Sequence, residues 1–312
     1  MNSDPHIEKP AESGYHRPVL LNETLEGLQI RPGGVYVDCT FGGGGHAREI
    51  LKRLDKDGKL VVFDQDEDAR QNAPEDERVI FVASNFRHIG RFLRLYRIGK
   101  IDGALADLGV SSHQFDRAER GFSFRYEGDM DMRMDKRQIL TAFEVVNTYP
   151  EERLHQIFEQ YGEVTNAKTL ARTIAGVRNS ISIKSIQNFK GALNPVVKGN
   201  PNRYFAQVFQ ALRIEVNDEL GALSDLLVQT TDLLKPGGRL AIITFHSLED
   251  RMVKRFFKRG SFEAEDESDP FGQRLAEPFL KNITRKPILP GMEERKENPR
   301  SRSAKLRIAE RI

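Results

Sequence analysis

The sequence predicts an α/β protein: a parallel sheet that takes a nucleotide-like ligand at its edge, with an all-helical segment inserted into it. Three observations carry that expectation. Short β-favouring runs alternate with helical patterns from Val35 to Asp107, the arrangement that yields a parallel sheet with helices on its faces. The first run, Val35-Tyr36-Val37-Asp38, leads through four consecutive glycines, Gly42 to Gly45, into a helical pattern carrying Ala47, Ile50, Leu51 and Leu54. After Asp107 the alternation stops, and helical periodicity runs from Leu140 to about Leu234 before another strand begins at Arg239.

Residues 1–14 read as a polar tail. The run HRPVLLNETLEGL from His16 reads as an extended entry and then a helix with Leu21, Leu25 and Leu28 on one face, stopped at Arg31-Pro32-Gly33-Gly34. Strands are expected from Val35 to Asp38, Leu60 to Asp64, Val79 to Val82 and Ile101 to Asp107. Asp38, Asp64, Asn85-Phe86 and Asp107 then fall at strand ends, where ligands of such sheets bind. The glycines suit a backbone that a ligand approaches closely and a turn that visits positive φ, with free N–H groups at the helix start. On its own the turn serves equally well as an ordinary strand-to-helix connection.

Two carboxylates sharpen the ligand. Asp64 lies about twenty residues beyond the glycines, the spacing at which an acid reaches a ribose. Asp38 ends the strand four residues before Gly42, where a nicotinamide fingerprint would begin its glycines at once. An acid there can face a cationic amino group. S-adenosylmethionine carries such a group at one end and a ribose at the other, and suits the pair better than NAD. The usual acid-x-Gly-x-Gly-x-Gly pattern is only partly met, because Thr40 stands in place of its first glycine.

Beyond Asp107, the loop DLGVSSHQFD and the charge-dense segment Gly121 to Asp135 are irregular, and loops this long in a compact domain usually carry function. Glu127, Asp129, Asp131 and Asp135 resemble a metal cage, but the interleaved Arg125, Arg133 and methionines argue against one. Helices are expected after Pro150 (Leu154, Ile157, Phe158 and Tyr161 on one face), around Leu170, Ile174 and Val177, and around Phe205, Val208, Phe209 and Leu212. The expected division is 1–114, sheet domain; 115–213, inserted helical domain; 214–312, sheet domain with a basic C-terminal segment. The fifth strand, Arg239 to Phe245, runs into His246-Ser247-Leu248-Glu249-Asp250 and a basic helix. An acidic loop, Glu263 to Asp269, follows. From Lys281 the chain holds ten Lys or Arg against four Glu. Ser303 to Ile308 alternates as an edge strand would, placing Arg300 and Arg302 just before it.

Bulk composition narrows the classes. The 312 residues are 38% hydrophobic and 30% charged, with no apolar run near the ~20 residues a membrane span needs. No basic-then-apolar leader opens the chain, so the cytoplasm is the expected compartment. The single cysteine, Cys39, excludes an internal disulfide and a cysteine-cluster zinc site. A net charge of +2 makes any nucleic-acid contact a matter of local patches.

The blocks HRPVLLNE, TFGGGGH, DLGVSS, RGFSF, DMRMD, FQALRIEVNDEL, GGRL, FHSLEDR and NPRSRSAKLRIAER run over nearly the whole chain. Together they resemble the MraW family of bacterial 16S ribosomal RNA cytosine-N4 methyltransferases, and several have no counterpart in generic methyltransferases. The resemblance implies a class I S-adenosylmethionine-dependent methyltransferase sheet, Rossmann-like, with an inserted helical domain. It implies S-adenosylmethionine as donor and a cytosine amine in the decoding region of 16S ribosomal RNA as acceptor, within the small ribosomal subunit. Carried over by motif, the donor contacts are Gly44, Gly45, His46, Asp64, Phe86, Asp107 and Gln114. Ser111, Ser112, His246, Arg300 and Arg302 are the candidate substrate contacts. Three rivals stand beside this reading: a NAD-dependent oxidoreductase, a non-catalytic assembly factor that binds S-adenosylmethionine, and an amine methyltransferase acting on DNA or protein.

Overall fold

Apolar runs rich in Val, Ile, Leu and Phe can be buried on both faces only in the middle of a layered sheet, and this is where the computed structural model puts them. It describes residues 18–262 and 279–312; the polar tail and the acidic loop Glu263 to Asp269 lie outside them. The first half runs α1 (Leu21–Leu28), β1 (Val35–Asp38), α2 (Gly45–Leu51), β2 (Lys59–Phe63), β3 (Val79–Val82), α3 (Ile89–Leu95), β4 (Ile101–Asp107) and α4 (Ser112–Asp116). Helices α5 (Ala142–Thr148), α6 (Glu151–Gln160), α7 (Ala167–Arg178), α8 (Ile186–Leu193), α9 (Pro201–Asn217) and α10 (Glu219–Leu233) follow. The chain closes with β5 (Leu234–Thr244), α11 (Ser247–Arg259), β6 (Leu280–Asn282), α12 (Met292–Glu297) and β7 (Lys305–Arg311).

The sheet order is β3-β2-β1-β4-β5-β7-β6. Strands β1 to β5 are parallel, and β7 runs antiparallel to both β5 and β6. The chain therefore builds outward from β1 on one side and from β4 on the other, opening a crevice between their carboxyl ends. Two expectations change here. The C-terminal strand is not an edge: Lys305–Arg311 inserts between β5 and β6, so its alternation reflects faces covered by α1 and α11 and not an exposed border. β5 also begins earlier than expected, at Leu234. Pairing jumps from Ile101↔Leu234 to Gly103↔Arg239, so Lys235 to Gly238 bulge out of the ladder.

Two apolar layers cover the faces of the sheet, and a third core lies among the helices between β4 and β5, formed by residues from Phe122 to Val216. The charge-dense segment contributes Met130, Met132 and Met134 to that third core. Two of its acids are taken up locally, Asp131 by Arg133 and Asp135 by Arg137, each at 2.8 Å. The return to the sheet is a kink at Asp218 (φ +46°). Buried Asn217 pins it, donating to the carbonyls of Met132 (2.8 Å) and Arg213 (2.9 Å) and accepting from Met134 N (2.7 Å). No helix among the described residues is long and apolar enough to cross a membrane.

Candidate functional site

A cavity of about 710 Å³ opens at the carboxyl ends of β1, β2 and β4, within the size range of small-molecule sites. Its floor is the turn after β1. Gly42 (φ +51°) and Gly44 (φ +74°) adopt left-handed backbone, and Gly44 caps α2. The glycines divide their duties. A Cβ on Gly43 would meet nothing within 4 Å, whereas one on Gly44 would strike the Phe41 ring at 2.7 Å and Arg48 at 2.6 Å. Gly42, Gly43 and Gly45 line the cavity, and Gly44 shapes the turn behind them.

Thr40, where the expected glycine pattern fails, is a tie. Its hydroxyl accepts from Asp107 N at 2.6 Å, and its own N–H donates to Asp38 Oδ1 at 3.0 Å. It thus locks the β1 turn to the end of β4, which a glycine has no side chain to do. Asp64, directly after β2, accepts from Gly42 N (2.7 Å) and from Asp66 N (2.8 Å), holding the glycine turn from the other side.

The electrostatics are unusual for so small a space. Burial lifts Asp38 to about 7 and Asp64 to about 6, and each carboxylate sits near a further acid. Asp107 is pushed well above the usual carboxylate range, by burial first and then by Asp38, Glu249 and Glu294. Its Oδ1 is buried with no hydrogen-bond partner among the described residues. Burial pulls His46 down to about 4, so the ring is neutral at physiological pH, and its 3.9 Å approach to Asp107 Oδ2 is not an ion pair. Because the Val19 carbonyl at 3.0 Å from Nε2 can only accept, the ring proton sits on Nε2. His46 Nδ1 is therefore a bare lone pair beside Asp107. The inner wall is a crowd of desolvated carboxyls whose protons a positively charged ligand can displace, leaving acceptors for its own donors.

Of the sequence-predicted residues, Gly45, His46, Asp64, Phe86, Asp107, Gln114, Ser111, Ser112 and Arg300 all line the cavity. Phe86 opens a 3-10 turn capped by Asn85. Gln114 is committed at both ends of its amide: Oε1 accepts from Ser111 N (3.1 Å), and Nε2 donates to Asp66 Oδ2 (2.9 Å). Arg300 reaches over from the C-terminal segment, paired with Asp116 and with its guanidinium 5.0 Å from the Phe115 ring. His246 caps α11 just behind the lining residue Glu249. Arg302 is exposed and stands apart.

Sequence reasoning missed Asp66, a buried hub that also takes Arg120 at 2.6 Å. It missed the wall formed by Asn217, Glu219 and Glu249 as well. Glu249 had a readable signal, the His-x-x-Glu capping box at the start of α11. Asp66 and Glu219 had none, because both owe their place to contacts across the fold.

The chain matches the model of the MraW methylase family over residues 13–312. A ribosomal RNA small subunit methyltransferase H of Phocaeicola vulgatus is 55% identical over 302 residues, covering 96% of this chain and 99% of that protein. Proteins of the same name from Bacteroides thetaiotaomicron and Christiangramia forsetii are 54% and 51% identical, each covering 96% of this chain and 98% of the relative.

Proposed function

This chain belongs to the MraW methylase family, and from that premise we propose that it methylates the N4 amine of a cytosine in the decoding region of 16S ribosomal RNA, acting on the small ribosomal subunit. It is an S-adenosylmethionine-dependent methyltransferase with ribosomal RNA as its substrate. The observation that carries the reading is the cluster of desolvated carboxyls Asp38, Asp64 and Asp107 beside the bare His46 Nδ1 at the β1/β4 crevice, groups that become acceptors when a cation displaces their protons. It suits a ligand with a cationic amino group and a sulfonium. The same wall would repel the diphosphate of NAD, which disfavours the oxidoreductase rival.

The residues present fit the donor. Gly43 leaves open space above the turn, and Asp107 Oδ1 lacks the partner that a buried carboxylate oxygen requires. On this reading Gly45, His46, Asp64, Phe86, Asp107 and Gln114 contact the donor, and Gly44 supplies the backbone bend that presents the others. Asp64 takes the ribose and Asp107 the methionine end. Ser111, Ser112 and His246 face the base, while Arg300 and Arg302 take RNA phosphates. The helical body, read as the inserted domain 115–213, and the basic C-terminal segment flank the entry.

When bound, S-adenosylmethionine supplies an electrophilic methyl on a sulfonium. The remaining work falls to alignment and exclusion of water, which proximity rewards by several kcal/mol. A cytosine amine is a poor nucleophile because its lone pair is delocalised into the ring. Acceptors on its two protons favour the pyramidal geometry needed for attack, and one of those protons must leave once the new C–N bond has formed. A target inside folded RNA must also be turned out of its stack to reach the crevice. Incubating the protein with labelled donor and unmodified small subunits, then separating the nucleosides, is expected to place the label in N4-methylcytidine. Label absent from RNA, with the donor bound, would favour the assembly-factor alternative.

A further inference from the structure

We infer that Glu219, His246 and Glu249 form the subsite that reads the target base, set to accept the hydrogen-bonding edge of cytosine and to reject that of uracil. The inference deepens the reading above and rests on it. Glu219 opens α10 just past the Asp218 kink, and Glu249 lies in the first turn of α11; both line the cavity. One polar atom from each of the three side chains lies within 4.8 Å of the other two. Two helices from different parts of the chain therefore deliver two carboxylates and an imidazole to one spot.

Each member is fixed by contacts that leave something over. Glu249 Oε2 accepts from Phe245 N (2.8 Å) and His246 N (3.3 Å). Glu219 is gripped by Arg213 through both oxygens, at 2.8 and 3.0 Å. A carboxylate has about four acceptor positions, so both retain unused lone pairs. The His246 side chain is only 7% exposed. Its Nδ1 faces Glu249 N at 3.5 Å as the acceptor of the helix cap, which puts the ring proton on Nε2. That Nε2 is buried and makes no well-aligned hydrogen bond among the described residues; its nearest partner is Glu249 Oε1 at 3.2 Å, and against the upward push of burial the ring helps hold the Glu249 carboxyl below its usual range. A buried donor whose one contact is poorly aligned has room for a better-placed partner.

The set is one donor beside two acceptors. Cytosine presents the complement: two N4 protons to give and N3 to accept with. A carboxylate accepting from cytosine N4 is an established pairing, and we assign the N3 contact to His246 Nε2–H, which lies behind Glu249 and reaches the base if the ring turns from that carboxylate. Uracil would set its O4 lone pairs against a carboxylate and its N3–H against the imidazole N–H, so both contacts would repel. The same acceptors hold the amine protons during attack. A divalent cation is a poorer occupant, because Arg213 already places a positive charge on both oxygens of Glu219.

The test uses Glu219→Gln, which keeps the shape and an oxygen for Arg213, and His246→Gln, which keeps an acceptor for the helix cap. Donor affinity, thermal melting and kcat/KM on unmodified small subunits are measured for both, together with methylation and binding of RNA carrying cytidine or uridine at the target position. Expected are cooperative melting, lower for Glu219→Gln because partly buried Arg213 loses its charge partner, donor affinity within about twofold, kcat/KM lower by roughly 5- to 150-fold (the worth of one good base pairing), and weaker preference for cytidine over uridine in RNA binding. Both variants retaining wild-type kcat/KM and preference, while wild type methylates RNA, would overturn the inference and leave the proposed function standing. Wild type methylating no RNA would sink that function and the inference with it. Should one variant fail to fold, the other decides alone. Activity lost on chelation and restored by manganese or zinc alone would replace the base subsite with a metal site.

Discussion

Asp64→Ala separates turn building, which this carboxylate does, from the ribose binding proposed for it. Its oxygens accept two backbone N–H groups, from Gly42 at 2.7 Å and Asp66 at 2.8 Å. Hydrogen bonds to a charged group are worth about 1.5–3 kcal/mol each, so truncation forfeits about 3–6 kcal/mol. Against this stands the cost of keeping the charge buried. A lift from the usual carboxylate range to about 6, with those two bonds already counted in it, corresponds to roughly 3 kcal/mol of net cost above pH 7. Truncation removes bonds and burial cost together, so stability is expected to change by no more than about 3 kcal/mol, a shift in Tm within roughly 12 °C for a chain of this size. Donor affinity should fall by about 1.5–3 kcal/mol, or roughly 10- to 150-fold, as the bonds to the ribose hydroxyls are lost. Calorimetric titration with S-adenosylmethionine and melting curves, both at pH 8, read the two quantities independently. A folded variant with wild-type donor affinity removes Asp64 from the ribose site, and a variant that does not fold shows that the turn needs the carboxylate more than this balance allows.

Gly43→Val should weaken donor binding with little change in melting, because its side chain enters open cavity, whereas Gly44→Val should lose at least about 2 kcal/mol of stability through left-handed strain and collision with Phe41; the reverse order would exchange their roles. Asp107→Asn is expected to raise the KM for the donor roughly tenfold or more with the single-turnover rate at saturation nearly intact, and a rate loss without an affinity change would assign the carboxylate to the amine instead. Asp38 and Asp64 hold protons when folded that the unfolded chain releases near pH 4, so the stability they contribute to the ligand-free protein is lost as pH rises from about 4 through 7. Donor affinity should rise over that window as the cation displaces those protons, seen as proton release in calorimetry across buffers, and a flat profile would contradict the acceptor-wall reading. His46, held down at about 4, works in the opposite sense and withdraws stability as pH falls below about 6.5. Replacing Arg300 and Arg302 together by Ala should lower the salt slope of RNA binding by roughly one to two units with donor affinity unchanged; an unaltered slope would mark both as solvated.

Much of this fold was written in local pattern. The alternation through Val35–Asp38, Lys59–Phe63, Val79–Val82 and Ile101–Asp107 fixed a parallel sheet, because period and run length are properties of neighbours along the chain. The glycine turn with Asp38, Asp64 and Asp107 at strand ends located the crevice for the same reason, since parallel strands bring their carboxyl ends to one edge. Two things misled. Alternation in the last strand read as an edge, although β6 pairs along its far side, because alternation reports which faces are covered and says nothing about which borders are paired. Thr40 read as a defect in a glycine motif, and its purpose emerges only once β4 lies 2.6 Å away.

The sequence by itself therefore determined the sheet, the glycine turn, the carboxylates that end its strands and, through its blocks, the family. Only the tertiary structure decided what those groups are to one another. The proton on His46 is placed by Val19, the partnerless oxygen of Asp107 by burial against Asp38, and the Glu219–His246–Glu249 cluster by two helices whose sequences do not refer to each other. Hydrogen-bond satisfaction and desolvation depend on distances between residues far apart in the chain, and those distances are set only when the helical body folds back onto the sheet at the Asp218 kink.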